Sequence, residues 1–402
     1  MRKGWKTKSL ANVAKVGSGN SAPQKKEFFE NGIYPFFRTS DVGIIKFGSL
    51  SKSRDLLTEG AVLKMKLQTS GTILLPKSGA STFLNHRVIL KKNGYVSSHL
   101  ATVKADNELL LDGFLFYFLV NVKAQDLIQD HAYPSLKLTD IKSIKTPVPP
   151  LEEQKEIVSI LDDTFASIKK AKANIERNIE NAKELFQSKL NEIFSQTKYA
   201  LEKKLGDVCE KITDGSHNPP KNNNGNRIMI SGRNITNSGL DLTKVRRISE
   251  EDFVKENKRT NLKAGDVLLT IVGTIGRSIV FPANVESLAL QRSVAVFKLQ
   301  EEINSYYLSY YFKSPLFQNL LNDNARGVAQ RGVYLKTLRE LPFYDNSLKS
   351  QNEIVETLDI LDNHIQSILL TFEKELENLE ELKKSILQKA FSGELTNKSV
   401  AA

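Results

Sequence analysis

Two long segments of the chain repeat their apolar residues with a period of seven. Starting at Leu151, every seventh position up to 193 carries Leu, Val, Phe, Lys, Ile, Phe and Ile in turn. A second segment starting at Leu348 follows the same frame with Leu, Val, Asp, Leu, Leu, Lys and Ala. A heptad stripe with a few polar breaks predicts a long helix that packs on another helix. Each helix covers about 44 residues, or roughly 65 Å.

The ends of both helices are marked by proline and glycine. Pro147, Pro149 and Pro150 end a preceding strand and introduce the first helix, and Gly393 ends the second. Two such stripes in one chain most simply pair with each other, as an antiparallel coiled coil. We interpret six apolar positions as the seam of this helix pair rather than as partner contacts: Leu161, Ile168, Ile175, Leu358, Ile365 and Phe372.

The chain is also an internal repeat. Residues 151–158 (LEEQKEIV) recur 197 residues later as 348–355 (LKSQNEIV), and the offset does not drift over more than forty residues. The preceding regions match more loosely, for example residues 71–75 with 265–269 and residues 138–141 with 335–338. The chain therefore consists of a domain and a helix used twice.

These patterns predict an α+β protein with two mixed α/β domains, each followed by a long helix, and pseudo-twofold symmetry between the two domain–helix pairs. Apolar runs predict strands near residues 72–76, 87–90, 266–271 and 293–299, and short helices near 109–122 and 305–313. The predicted divisions are residues 1–150 (first domain), 151–196 (central helix), 197–347 (second domain), 348–393 (C-terminal helix) and 394–402 (tail).

The net charge of +11 is unevenly distributed along the 402 residues. Residues 1–150 carry 22 basic and 11 acidic side chains (net +11), and residues 196–348 carry 22 and 16 (net +6). Residues 151–195 carry 7 and 9 (net −2), and residues 349–402 carry 6 and 10 (net −4). The positive excess lies in the two domains, which favours two modules that bind nucleic acid and are joined by helices that face protein.

Composition and motifs argue against several other classes of protein. The single cysteine, Cys209, excludes a disulfide framework and a Cys-rich zinc site, and five histidines leave little for a metal centre. No apolar run is long enough for a membrane span, and the first five residues do not resemble a signal peptide, so a cytoplasmic location is expected. No phosphate-binding Gly-rich motif is present.

One fragment resembles a catalytic motif. Residues 218–221 (NPPK) are similar to the (Asp/Asn)-Pro-Pro-aromatic motif of adenine methyltransferases, but Lys221 stands at the aromatic position. We interpret the fragment as a turn and expect the chain to be non-catalytic, with neither a metal nor a cofactor of its own.

The arrangement as a whole resembles the DNA-specificity subunit of type I restriction-modification enzymes. Residues 147–154 (PVPPLEEQ) are similar to that family's Pro-Pro-Leu-x-x-Gln start of a long helix, and residues 381–395 to its helix end. Residues 213–217 (TDGSH) and 273–277 (GTIGR) resemble loops of its target-recognition domains. The second helix starts without Pro-Pro, and the counterpart of GTIGR in the first domain is KSGA at residues 77–80.

The resemblance implies a division of labour among subunits. Such a subunit reads a split double-stranded DNA sequence, and two methyltransferase subunits that use S-adenosylmethionine dock on it. Restriction subunits that use ATP and Mg²⁺ join in the full complex. The two domains would then be target-recognition domains, and helices of this length could hold half-sites one to one and a half turns of DNA apart.

Base reading requires donors and acceptors on accessible loops, chiefly Arg, Lys, Asn and Gln. The candidates in the first domain are Arg38, Thr39, Ser40, Lys77, Ser78, Ser98, His99 and Tyr133. The candidates in the second domain are Arg233, Asn234, Thr274, Arg277, Gln291, Arg292, Gln330 and Arg331. For each, phosphate contact or an ordinary surface position is the alternative.

Two other functions remain open at this point. A stand-alone protein that bridges two DNA sites or regulates them would bind specific DNA without a partner. An enzyme with an unrecognised active site would act on nucleic acid as the purified chain, although no paired carboxylates or metal cluster occur at a recognisable spacing.

Overall fold

The structure is a computed structural model that describes residues 4–128, 134–196, 201–222, 225–327 and 331–396. The chain divides into two compact units. Unit one consists of Met1–Asn174 and Lys374–Ala402, and unit two of Ile175–Glu373. Each unit therefore holds one mixed domain and a segment of each long helix. The domain boundaries drawn from the sequence stay predictions.

Unit one is built on a five-stranded sheet. Its strands are β1 (Lys6–Ser9), β2 (Ala14–Ser18), β3 (Tyr34–Phe37), β4 (Phe47–Leu50), β5 (Asp55–Leu57), β6 (Ile73–Pro76), β7 (Arg87–Leu90), β8 (Tyr95–Val96), β9 (Leu100–Ala105) and β10 (Lys145–Val148). Its helices are α1 (Thr39–Ile45), α2 (Glu59–Val62), α3 (Asp112–Asn121), α4 (Leu138–Ser143) and the start of α5 (Leu151–Gln196). The sheet has the order β2-β9-β6-β7-β4, beside a three-stranded sheet β5-β3-β8 and the antiparallel pair β1-β10.

Unit two repeats most of this topology. Its strands are β11 (Leu201–Lys204), β12 (Cys209–Asp214), β13 (Arg227–Ile230), β14 (Ile235–Thr236), β15 (Gly239–Leu240), β16 (Arg246–Ile248), β17 (Val267–Thr270), β18 (Ser278–Val280), β19 (Ala289–Leu290), β20 (Val294–Leu299) and β21 (Pro342–Asp345). Its helices are α6 (Glu250–Thr260), α7 (Ser305–Lys313), α8 (Pro315–Asn324), α9 (Leu335–Glu340) and the start of α10 (Leu348–Ser392). The sheets are β12-β20-β17-β18, β16-β13-β19, β11-β21 and β14-β15.

The elements predicted from the apolar pattern are present. Strands β6, β7, β17 and β20 lie within the four predicted runs, and α3 and α7 lie within the two predicted helical stretches. Helix α3 buries six consecutive residues from Phe114 to Leu119, as expected of a helix that is apolar on all sides. Strand β4, which pairs in parallel with β7, has no counterpart in the four-stranded sheet of unit two.

A fully buried glutamine joins each domain to the helix that follows it. In unit one, the amide of Gln154 donates to the carbonyls of Pro149 (2.8 Å) and Leu109 (3.0 Å) and accepts from Leu111 N (2.8 Å). The side chain therefore bridges the first turn of α5 and the loop that leads into α3. Its three bonds use both donor and acceptor atoms of the amide.

Gln351, 197 residues later, makes the same three bonds in unit two. Its amide donates to the carbonyls of Asn346 (2.8 Å) and Glu302 (3.3 Å) and accepts from Asn304 N (2.9 Å). Asn304 precedes α7, which is the counterpart of α3. The internal repeat therefore preserves a specific polar joint, in addition to the apolar pattern.

A tyrosine–aspartate pair accompanies each glutamine. Tyr117 of α3 donates its hydroxyl to Asp162 of α5 (2.5 Å), and Tyr310 of α7 donates to Asp359 of α10 (2.6 Å). Burial and the bond to the carboxylate raise the pKa of both hydroxyls well above the ordinary value of tyrosine. Both tyrosines therefore stay protonated and keep donating at any physiological pH.

In unit one, the start of α5 and the end of α10 are in contact. Thr396 donates to Glu153 (2.6 Å), the ammonium of Lys383 lies 5.4 Å from the centre of the Phe165 ring, and Lys172 pairs with Glu380 (3.3 Å). The residue number on one segment rises as that on the other falls, so these two segments run in opposite directions. Gly393, with φ of +83°, follows the last residue of α10, as predicted.

The six predicted seam residues differ in their surroundings. Leu161 and Leu358 are fully buried, each in the core of its own unit, and Ile168, Ile175 and Ile365 are also buried. Phe372 is only half-buried. In the described residues, no helix has the length and apolar character needed to cross a membrane.

Replacing Gln154 with methionine removes all three bonds of the first joint and leaves two buried carbonyls and one buried N–H without this partner. We expect the free energy of unfolding to fall by about 2–3 kcal/mol, the cost of leaving buried polar groups unpaired. Thermal melting of the purified chain measures the effect. Gln187→Met, at an exposed position of the same helix, is the control and should leave the melting temperature unchanged. Equal melting temperatures of the two variants would contradict the stabilising role of the three Gln154 hydrogen bonds.

Candidate nucleic-acid interface

The loops of the two domains share one hydrogen-bonded frame. In the second domain, Arg292 N donates to Ser216 O (2.9 Å). In the first, Ser98 N donates to Asn20 O (2.7 Å). Ser216 and Asn20 are therefore structural counterparts, as are Arg292 and Ser98. The backbone is common to both domains, whereas the side chains that it presents differ.

A glycine precedes each of these counterparts because two chain segments approach closely there. A Cβ atom on Gly19 would lie 2.2 Å from the carbonyl oxygen of Val96, and one on Gly215 would lie 2.1 Å from that of Leu290. No side chain fits at either position. The two glycines fix the loops against β8 and β19.

A second pair of loops also corresponds. Gly79 N donates to Pro134 O (3.0 Å) in the first domain, and Gly273 N donates to Arg331 O (3.1 Å) in the second. The backbone hydrogen bonds therefore agree with the match between residues 77–80 and the GTIGR loop in the sequence. Both loops lie beside the first pair, since Lys77 N donates to His99 O (3.0 Å) and Ile271 N to Ser293 O (2.9 Å).

Four of the predicted residues of the second domain line one groove. This cavity of about 350 Å³ is lined by Arg233, Thr274, Gln291 and Arg292, together with Ser216 and His217. His217 and Arg292 also line an adjoining cavity of about 380 Å³, with Arg259, Arg326 and Tyr334. The two cavities share His217 and Arg292 and form one groove, whose lining combines guanidinium, amide and hydroxyl groups with apolar side chains such as Val272 and Leu335. Such a lining suits the phosphates and base edges of DNA.

The role predicted for Asn234 is wrong because its amide is used inside the domain. Asn234 is buried, accepts from Ser231 N (3.0 Å) and donates to the carbonyls of Asp241 (3.0 Å) and Lys244 (2.9 Å). Its counterpart in the first domain is Asp41, which accepts from Arg38 N (2.7 Å) in the same way. Both side chains cap a helical turn instead of facing solvent.

Arg277 lies apart from the groove. Its guanidinium donates to Ile235 O (3.1 Å), and it lines a different cavity of about 420 Å³ with Lys313 and Asp362. Burial lowers the pKa of Lys313, although Asp362 and Asp359 act in the opposite direction. Thr274 contributes to both cavities. Arg277 therefore shares a cavity with Thr274 but not with Arg233, Gln291 or Arg292.

The candidates of the first domain lie in two places, a cluster on two loops and the start of helix α1. Ser78 Oγ and His99 Nδ1 are 2.8 Å apart, and Lys77 and Ser98 belong to the same two loops. Thr39 and Ser40 begin α1 and are half-buried. Arg38 pairs with Asp55, and its guanidinium lies over the rings of Phe36 (5.1 Å) and Phe29 (5.6 Å). This guanidinium is held by the domain itself.

The remaining candidates are only partly covered by the structure. Tyr133 and Gln330 lie outside the described residues. Arg331 is exposed, and its guanidinium donates to Asn322 O (2.8 Å). Base contact by any candidate other than Asn234 stays a prediction.

The described residues contain no group of three or more His, Cys, Asp or Glu side chains placed to hold a metal ion. The NPPK fragment lies in a loop, where the carbonyl of Pro220 accepts a hydrogen bond from Arg246. Burial raises the pKa of the Cys209 thiol to about 12, so this cysteine stays protonated.

The groove also contains residues that were not among the candidates, namely His217, Arg259, Arg326 and Tyr334. His217 belongs to the TDGSH motif, so its position in the sequence was a usable signal. Arg259 lies on α6, whose charge pattern is that of an ordinary solvated helix. Nothing local in the sequence places it beside the loops.

Comparison with known proteins relates this chain to one family. The family model described as type I restriction modification DNA specificity domain matches residues 2–181 and again 199–378. The EcoBI specificity subunit of Escherichia coli is 28% identical over 277 residues, which are 62% of this chain and 58% of that protein. The MjaVIII specificity subunit of Methanocaldococcus jannaschii is 23% identical over 421 residues, 98% of this chain and 94% of that protein.

A similar fold is found among solved structures. A chain solved in work on complex assembly and conformational transition of the type I R-M system aligns with a TM-score of 0.78 at 18% identity. The alignment covers 98% of this chain and 99% of that one. At this identity the likeness concerns the fold alone.

Substitutions at two neighbouring residues should separate loop structure from surface chemistry. Asn234→Leu removes four hydrogen bonds of a buried side chain and should lower the melting temperature clearly. Asn234→Asp keeps the acceptor for Ser231 N but turns a carboxylate oxygen toward the carbonyls of Asp241 and Lys244, so it should also lower the melting temperature. Arg233→Ala, at an exposed position, should leave it unchanged. A melting temperature insensitive to Asn234→Leu would contradict the capping role.

Proposed function

Because the chain belongs to the family of type I restriction-modification DNA specificity subunits, we propose that each domain reads one half of a bipartite, asymmetric DNA target. The observation that carries this proposal is the common loop frame with different side chains. Ser98 and Arg292 occupy equivalent positions, as do Asn20 and Ser216. Two domains with one frame would approach DNA similarly, and different side chains would select different bases.

Each domain has the groups that such reading needs. In the second, Gln291 and Arg292 stand side by side on the groove, and these residue types can bond two atoms of adenine and guanine respectively. In the first, Lys77, Ser78 and His99 form the corresponding cluster. The net charges of +11 and +6 on residues 1–150 and 196–348 supply attraction to phosphates that is independent of sequence.

The long helices would set the spacing between the half-sites. We propose that α5 and α10 pair along their length as an antiparallel coiled coil, with pseudo-twofold symmetry between the two domain–helix pairs. The contacts of Lys172 with Glu380 and of Lys383 with Phe165 in unit one support this arrangement. Helix α5 has 46 residues, about 69 Å at 1.5 Å per residue, which suits half-sites one to one and a half turns of DNA apart.

The same helices would dock two methyltransferase subunits. Leu185 and Leu382 are equivalent in the repeat, and both are exposed, at 57% and 45%. Exposed leucines at equivalent positions suit two copies of one partner. In this proposal the chain is non-catalytic and located in the cytoplasm. S-adenosylmethionine belongs to the methyltransferase subunits, and ATP and Mg²⁺ to restriction subunits where these join.

The comparisons favour this function over a stand-alone protein that bridges two DNA sites, because the chain matches specificity subunits over both of its halves. Co-expression with a methyltransferase chain distinguishes the two. We expect the two chains to purify together and to methylate adenine in one split sequence in the cell, mapped by methylation-sensitive sequencing. Specific binding by the chain alone, with no partner retained, would favour the bridging protein.

Arg292→Ala tests whether the domains read separate half-sites. Removal of a bidentate guanidinium should relax recognition at one position of one half-site, at a cost of about 1–3 kcal/mol, and leave the other half-site unchanged. The mapped methylation sites of the variant give the result directly. A uniform loss across both half-sites would mean that Arg292 contacts only phosphate.

Lengthening the helices tests whether they act as a ruler. Insertion of a heptad into α5, with a matching heptad inserted into α10, should preserve the apolar stripe and lengthen each helix by about 10 Å. We expect the unread gap in the methylated sequence to grow by about three base pairs. A contiguous target, or a gap of unchanged length in the variant, would contradict the ruler.

A further inference from the structure

A buried carboxylate in the second domain binds two basic side chains on the groove. Asp214, at the end of β12, is 7% exposed. One of its oxygens lies 2.9 Å from His217 Nε2, and the other accepts from the guanidinium of Arg259. Arg259 also donates from Nε to the hydroxyl of Thr213 (3.2 Å). Both oxygens of Asp214 are thus used to hold residues that come from separate elements.

The two basic side chains themselves are accessible. His217 is 53% exposed and Arg259 is 51% exposed, and both line the groove that also contains Arg292 and Arg326. Among the described residues that line this groove, Asp214 is the sole carboxylate. A negative charge on a surface for DNA opposes binding by its charge alone. Its presence therefore requires another explanation.

The geometry supplies that explanation. A carboxylate accepts hydrogen bonds only, so His217 Nε2 must donate to Asp214. In the neutral imidazole, Nδ1 is then an acceptor, and it can take a hydrogen bond from the amino group of adenine or cytosine. The guanidinium of Arg259, fixed at two atoms, can offer its remaining N–H groups to a phosphate.

Resting on the proposed function, we propose that Asp214 is a positioning residue that presents His217 and Arg259 to DNA at the half-site read by the second domain. His217 contacts an amino group on a base edge, and Arg259 contacts the adjacent backbone.

The first domain offers an internal comparison. Since Asn20 is the counterpart of Ser216, the positions of Asp214 and His217 are occupied there by Ser18 and Ser21. Ser18 donates to Ser98 O (3.3 Å) and carries no charge. The positioning device therefore belongs to the second domain, and its loss should affect one half-site only.

Asp214→Asn separates positioning from charge. Removing one negative charge close to DNA should tighten binding by charge alone, whereas loss of positioning should weaken it. We expect about a tenfold weaker affinity for the mapped duplex, measured by fluorescence anisotropy with the full chain assembled with its methyltransferase. Glu210→Gln removes the same charge from an exposed position of the same strand and should give equal or tighter binding. Tighter binding by Asp214→Asn would overturn the proposal.

The melting temperature of Asp214→Asn shows whether that variant is folded. If it is not, His217→Ala and Arg259→Ala test the proposal in its place. His217→Ala should lose discrimination at one base pair of the second half-site and none at the first. Arg259→Ala should weaken binding to all sequences and reduce the slope of log affinity against log salt by about one. Unchanged discrimination in His217→Ala overturns the proposal. If the unmodified complex binds no split sequence, the proposed function itself fails.

Discussion

The buried glutamine at the start of each long helix is the interaction on which the arrangement of each unit depends. The carbonyl that precedes each long helix and the loop that docks on that helix both leave polar backbone atoms in an apolar core. One amide side chain serves the carbonyls and the N–H together, and a carboxylate or an alkyl side chain of similar size could not. Gln154 and Gln351 make the same bonds, although the residue before each, Glu153 or Ser350, has changed. The domain is therefore attached to its helix by directional hydrogen bonds as well as by apolar packing.

A fixed attachment of this kind allows the loops to change without moving the domain. Gly19 and Gly215 stand where a Cβ atom would meet a carbonyl oxygen, and these positions are the same in both units. The next residues are Asn20 and Ser216, which keep the backbone bonds and differ in side chain. Specificity can therefore diverge at Ser98 and Arg292, whereas the amide of Asn20 is held by the backbone of Lys66. In the function proposed above, a common frame with different side chains at one position is how one fold would serve two different half-sites.

The fold was largely predictable because its signals are periodic and repeated. The heptads give α5 and α10, and the offset of 197 residues, constant along the helices, gives the duplication. The site was less predictable because residue type does not reveal burial. Asn234 and Gln291 both carry a side-chain amide. The amide of Asn234 caps a turn inside the domain, whereas that of Gln291 lines the groove. Arg259 reaches the groove from α6, and only the tertiary structure brings that helix beside residue 214.

The distribution of charge fits the division of roles proposed above. If the domains bind DNA and the helices bind protein, positive charge on the helices would attract the phosphates of the unread spacer and compete with the half-sites. The helices instead carry −2 and −4, and the domains carry the positive excess. Attraction to DNA that is independent of sequence then increases only where bases are read. Within the second domain, Asp214 acts against this attraction locally, which is consistent with a carboxylate that is retained for the direction it gives to its partners.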